Sequence, residues 1–153
     1  MSIIYFPDAD IFDQEVEAIV NPVNCVGVMG HGLAAAFRER YPSNLRAYHN
    51  ACLIHVVRLG GVLFHDLQSG DGLPKYIINF PTKQHWRDDS QIRDIRSGMV
   101  ALCDMINDKG IKSIAIPQLG CGLGKLNWDD VKPLIVEACE DHLHSSVEVR
   151  VLG

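Results

Sequence analysis

Apolar residues along this chain fall in short blocks that alternate between two rhythms. Residues 2–6 (SIIYF) and 16–20 (VEAIV) are short and rich in β-branched and aromatic side chains, as strands are. Pro7 ends the first of them. Residues 62–64 (VLF), 113–116 (SIAI) and 147–152 (VEVRVL) read as further strands. Residues 76–80 (YIINF) are an unbroken apolar run, the pattern of a strand covered on both faces. Between these blocks the spacing changes to that of helices. One helix starts at about residue 32 and stops at Pro42. Ser43 is placed to cap a second, residues 44–53, with Leu45, Tyr48 and Cys52 on one face. Ser90 is placed to cap a long third helix carrying Ile92, Ile95, Met99, Leu102, Cys103 and Ile106, closed by Asp108-Lys109-Gly110. Asn127, Asp129 and Asp130 announce a fourth, which buries Val131, Leu134, Ile135, Ala138 and Cys139, with Pro133 expected near its start. Gly60-Gly61 and residues 70–74 are turns.

Interleaved strands and helices predict an α/β domain with a mixed, largely parallel central sheet and helices on both faces. No repeat or linker divides residues 1–153, so a single domain is expected. In such sheets ligands sit beyond the carboxyl ends of the strands. Three loops fall there, after Val20, Phe80 and Ile116.

The first loop organises the chain. Two asparagines, Asn21 and Asn24, precede glycines at 27, 30 and 32, and the helix former run 33–38 follows at once. Strand, glycine-rich turn and helix N-terminus is a geometry that receives a phosphate, because free backbone amides face the anion. It is equally the geometry of a plain tight turn. No Gly-Lys-Ser/Thr closes it, and the dinucleotide spacing is absent. The loop after Ile116, with glycines at 120, 122 and 124, repeats the logic, and Gly120 and Gly122 are a candidate anion nest. Cys121 between them is a candidate nucleophile or, as favoured here, a small residue beside the ligand.

The middle loop carries reactive side chains. Lys83 just past a buried strand end can lose solvation and act as a nucleophile. His85 can work as an acid or base, and Trp86 and Arg87 can stack on a base or clamp a phosphate. A solvated loop with a half-buried Trp is the plainer alternative. Asp10 can accept from an adenine amino group or simply cap a helix.

Composition narrows the classes. The 153 residues are 47% hydrophobic and 22% charged, an ordinary globular balance. The formal net charge of -5 argues against binding nucleic acid over a whole face, and leaves a local site. Five scattered cysteines without a C-x-x-C pair point to a reducing, cytoplasmic setting and away from disulfides or zinc. The start of the chain runs straight into a strand, without a signal peptide, and no apolar run is long enough for a bilayer. No cofactor, metal site or membrane contact is expected, and the chain is expected to be a monomer.

With these motifs assembled, the chain resembles the macrodomain family of ADP-ribose-binding modules and hydrolases, whose three-layer α-β-α fold the likeness implies. Asp10-Ile11 resembles the family's Gly-Asp-Ile motif, with Ala9 in place of the glycine, and residues 18–24 (AIVNPVN) resemble its A-I-V-N-x-x-N segment. Within the family, residues 21–32, 77–87 (IINFPTKQHWR) and 116–124 (IPQLGCGLG) are most similar to DarG-type macrodomains. That likeness implies ADP-ribose as ligand and product, ADP-ribosylated single-stranded DNA as transient substrate, and removal of ADP-ribose from thymidine. By the same likeness Lys83 is the essential catalytic residue, Asn24 lines the distal ribose and Asp10 binds adenine. Gly30, Gly32, Gly120, Gly122 and Leu123 are then expected to offer amides to the diphosphate. Ile11, Leu33, Pro117, Leu119 and Cys121 are expected along the ligand, and His85, Trp86 and Arg87 near the base. Gly124 stands where the protein-directed class has an aspartate, which favours the DNA-directed activity. DarG proteins also carry a C-terminal, toxin-binding region, so this chain is expected to be an excised domain or a free-standing relative. Hydrolysis of ADP-ribose 1''-phosphate, O-acetyl-ADP-ribose or modified protein is the alternative, and a non-catalytic reader is a third.

Overall fold

The computed structural model describes residues 1–144 and 146–153. Six strands form one sheet: β1 (Ser2–Tyr5), β2 (Ala18–Val23), β3 (Leu63–Asp66), β4 (Tyr76–Pro81), β5 (Ser113–Ile116) and β6 (Glu148–Val151). Their order across the sheet is β1-β6-β5-β2-β4-β3. All neighbours are parallel except β3, which runs antiparallel to β4 at the edge. Four helices cover it: α1 (Gly32–Arg40), α2 (Pro42–Leu53), α3 (Ile92–Lys109) and α4 (Trp128–His142). The expected three-layer α/β architecture is therefore present.

Strand alternation sorts the core into two faces. Val20, Ile78, Phe80, Ile114, Ile116 and Val149 pack against the apolar stripes of α3 and α4. Ile19, Ile77 and Ala115 point the other way, with Ile11 and Phe37. Beyond them on that face, Val23 joins Tyr48 and Cys52 of α2. The long α3 stripe ends where Gly110 turns left-handed at φ 64°, and its N–H returns to the Ile106 and Asn107 carbonyls. No described helix is long and apolar enough to cross a membrane.

Several element boundaries differ from the sequence reading. β2 continues through Asn21 and Pro22 to Val23, because those residues pair in register with Asn79, Phe80 and Pro81 of β4. Pro22 is tolerated in an interior strand because β5 pairs only with Ala18 and Ile19, so the ladder on that side has already ended. Pro42 does not merely stop α1: it opens α2, where a missing N–H costs nothing. Ser43 consequently lies inside α2, and its hydroxyl meets His65 Nε2 at 3.0 Å rather than capping. Gln91, not Ser90, sits at the α3 N-cap, and Ser90 is buried. Pro133 lies in the second turn of α4, on its exposed side, and Asp129, whose carbonyl it leaves without a helical partner, is exposed too.

Candidate functional site

The parallel register decides where the loops meet. β2 and β4 pair from Ala18↔Tyr76 through Val23↔Pro81, so both strands release their chains at the same edge. β5 stops earlier, its Ile116 level with Val20, so its loop runs on alongside the last residues of β2. The loops that follow enclose one cleft of about 320 Å³. Asn24, Gly30, Gly32 and Leu33 line it from the first loop and α1; Lys83 and Trp86 from the second; Pro117, Gly120, Gly122 and Leu123 from the third. This size and mixed lining suit a small-molecule site.

The cleft is built on buried asparagines. Asn44 of α2 and Asn79 of β4 exchange two amide hydrogen bonds, 3.0 and 2.8 Å long. Asn21 Nδ2 donates to Asn79 Oδ1 at 3.1 Å. All three are fully buried, so this network pins α2 against the strands. One helical turn after Asn44, the Tyr48 hydroxyl reaches Asn24, 2.7 Å from Oδ1 and 2.9 Å from the carbonyl oxygen. Burial pushes the Tyr48 phenol up, so it stays protonated and donates. Asn24 Oδ1 also accepts from Val26 N–H at 3.0 Å, and Asn24 Nδ2 donates to the Val28 carbonyl at 2.7 Å. Asn24 thus shapes the first glycine loop while it lines the cleft.

The second loop is tied to the first. Thr82 N–H donates to the Val23 carbonyl, and Cys25 N–H to the Gln84 carbonyl, both at 2.9 Å. Lys83 between those ties is half-buried, and no described carboxylate pairs with it. Its positive charge therefore faces the cleft uncompensated. His85 and Arg87 flank the Trp86 ring at 4.9 and 4.6 Å from its centre. His85 Nδ1 accepts from Arg87 N–H at 3.1 Å, which assigns the neutral ring's proton to Nε2. Of these three side chains only Trp86 lines the cleft.

The third loop is close-packed. Gly120 is left-handed at φ 74°, and a Cβ there would stand 2.8 Å from Leu126 Cδ1. A Cβ on Gly124 would press on Ser90 Oγ and on the Gly120 carbonyl oxygen, 2.5 Å away. Ser90 N–H in turn donates to the Gly124 carbonyl at 2.9 Å. Lys125 and Leu126 N–H groups are used within the loop, whereas those of Gly120, Gly122, Leu123 and Gly124 meet no acceptor among the described residues. The first residues of α1, Gly32 to Ala34, line the same cleft, with their free amides at the positive end of the helix dipole. Two sets of donors on one cleft suit a diphosphate.

Some expected residues lie elsewhere. Leu119 is fully buried in the core, and its N–H donates to the Pro117 carbonyl at 2.8 Å. Cys121 donates its N–H to the Gln118 carbonyl, and its Sγ lies 3.4 Å from the Leu119 carbonyl oxygen. Burial pushes the Cys121 thiol up to about 11, which speaks against a nucleophile. Neither residue lines the cleft. Asp10 caps a short 3₁₀ turn (Ile11–Asp13), accepting from Phe12 N–H at 2.9 Å. Ile11, the first residue of that turn, is buried. Leu33, which packs against Ile11's cluster and also lines the cleft, is the link between the turn and the site. His31, Thr82 and Gln118 also line the cleft, as does Gly124 of the glycine loop. In the sequence the first three carry no signal beyond adjacency to Gly30, Lys83 and Pro117.

The Macro domain family profile matches residues 20–135, most of the chain. The chain belongs to the Macro domain family. Over 135 residues (88% of the chain) it is 44% identical to a Mycobacterium tuberculosis protein named DNA ADP-ribosyl glycohydrolase. The chain spans only 38% of that protein's length. The solved macrodomain of M. tuberculosis DarG covers 97% of each chain at 40% identity and a TM-score of 0.91. Thermosipho africanus DarTG in complex with ADP-ribose matches 98% of this chain and 41% of its own, at 30% identity and a TM-score of 0.85. The macrodomain described here is therefore DarG-like in sequence and fold.

Proposed function

We propose that this macrodomain binds ADP-ribose and releases it from thymidine in single-stranded DNA. One observation carries the reading: a lysine without a counter-charge among the described residues lines the same cleft as the unpaired amides of Gly120, Gly122 and Leu123 and the N-terminus of α1. The relatives named DNA ADP-ribosyl glycohydrolase, and the ADP-ribose complex of the Thermosipho protein, support it. The diphosphate lies between the amides of Gly30, Gly32, Gly120, Gly122 and Leu123. The adenosine end runs past Leu33 toward Asp10 and Ile11, and the distal ribose reaches Lys83 and Asn24.

Lys83 acts at the anomeric carbon. In the covalent course Lys83 first gives its ammonium proton to solvent; the amine then attacks that carbon, the C–N bond to thymine breaks, and the thymine nitrogen takes the proton the newly bonded lysine nitrogen loses. Water then displaces the lysine and leaves ADP-ribose. In the non-covalent course the ammonium steadies the developing charge while water attacks directly. The thymine leaves beside Trp86.

The test is release of ADP-ribose from a thymidine-ADP-ribosylated oligonucleotide, by the parent and by Lys83→Ala. Removing one such group should slow turnover about 10²–10³-fold, with ADP-ribose still bound in calorimetry. Full turnover by a folded Lys83→Ala protein would overturn the mechanism. Binding without release by the parent would redirect the search to modified protein and ADP-ribose 1''-phosphate.

A further inference from the structure

The first glycine loop has a second concave face, outside the cleft. Met29, Leu45, Arg38, Arg46 and His49 surround an open groove there of about 530 Å³. Val28 and Gly30 line both the groove and the cleft, so the loop is a thin wall between them. Val28, which lines both, is 43% exposed.

The cations in this groove are not equivalent. Arg38 is committed: it donates to the Met29 carbonyl at 3.0 Å and to Glu39 Oε1 at 3.1 Å, which braces the wall. Arg46, on α2, is exposed and meets no carboxylate within 4.0 Å among the described residues. His49, one turn away from the groove's Leu45, has Nδ1 at 3.4 Å from the Gly27 carbonyl oxygen. A proton on Nδ1 donates there and leaves Nε2 without a protein partner. In a chain of net charge -5, a groove bearing two guanidiniums and an imidazole departs from the general surface.

We infer that this groove takes a backbone phosphate of the DNA strand flanking the nucleotide held in the cleft. The inference rests on the DNA substrate proposed above. A strand whose modified base sits beside Lys83 must leave over a rim of the cleft, and Val28 is one such rim. Beyond it Arg46 presents the forked donor geometry that fits a phosphate. Leu45 and Met29 give the sugar an apolar floor. An acidic protein can hold nucleic acid in this way only through a local contact, and its strength must fall with salt.

Arg46→Glu and Arg46→Ala are compared with the parent on two substrates: an ADP-ribosylated single-stranded oligonucleotide and ADP-ribosylated thymidine nucleoside, which has no phosphodiester. Anisotropy of an unmodified single-stranded oligonucleotide is measured alongside, with ADP-ribose affinity and melting temperature as controls. The expected result is a KM for the oligonucleotide raised about tenfold or more in Arg46→Glu, with kcat and nucleoside turnover unchanged. The salt slope of oligonucleotide binding should shrink by about one. An unchanged KM and slope would overturn the groove. If the parent releases nothing from DNA, the substrate reading fails and anisotropy alone decides. Salt-dependent binding lost in Arg46→Glu then upholds the groove, and absent or equal binding overturns it.

Discussion

The Tyr48 hydroxyl stands 2.7 Å from Asn24 Oδ1 and joins the middle of α2 to the first glycine loop. The bond is buried at both ends. It makes the shape of the cleft depend on the packing of α2. Tyr48→Phe should therefore cost about 1 kcal/mol, or about 2–4 °C in melting temperature. It should also weaken ADP-ribose binding by calorimetry, because Asn24 loses its outside support. Unchanged affinity would mean that Val26 and Val28 hold the loop by themselves.

Two glycines of the third loop separate folding from binding. Alanine at 124 meets Ser90 and the Gly120 carbonyl oxygen, whereas a Cβ at 122 meets nothing within 4 Å. Gly124→Ala should lower both melting temperature and ADP-ribose affinity, the first by an overpacking penalty of about 1–3 kcal/mol. Gly122→Ala should leave the melting temperature alone and weaken binding, since its methyl would enter the cleft where the proposal puts the diphosphate. The crowding at Gly124 also bears on the aspartate that the protein-directed class places there: Gly124→Asp should disorder the loop rather than transfer that activity, as thermal melting and turnover on modified protein would show.

Cys121 and Cys25 are both pushed up to about 11, chiefly by burial, from an ordinary 9.0. At neutral pH both thiols stay protonated. Iodoacetamide should label the folded protein slowly there, and Cys121→Ser should keep its turnover. The folded state holds protons that the unfolded chain gives up first. Their contribution to stability is therefore complete below pH 9 and is lost as pH rises from 9 through about 11. Denaturant midpoints across that interval would check the sign.

Trp86 lines the cleft with His85 and Arg87 against its ring. As a stacking platform for the leaving base, it should contribute about 1–3 kcal/mol to oligonucleotide binding. Trp86→Ala should raise KM for a modified oligonucleotide by about tenfold or more and leave free ADP-ribose affinity nearly unchanged. An equal loss for both ligands would place the ring against the distal ribose.

The amino-acid sequence by itself determined the alternation of elements, the two-sided core and the positions of the three loops. These follow from local periodicity and from glycine and proline, which act on their immediate neighbours. Its motifs also carried the family. Where each strand stops was a tertiary decision: β2 runs on through Asn21 and Pro22 because β4 pairs with it there. Ser43 and Ser90 are good caps in isolation, but the structure gives the first to His65 and buries the second beneath the third loop. Leu119 and Cys121 shared a motif with the cleft residues, yet close packing turned Leu119 into the core and closed both residues' amides within the loop. Tyr48 gave no sign of any role beyond its helix's apolar face. Its hydroxyl became part of the site only when the Asn44–Asn79 pair set α2 against the sheet, because contacts between residues far apart in the chain exist only after the layers have packed.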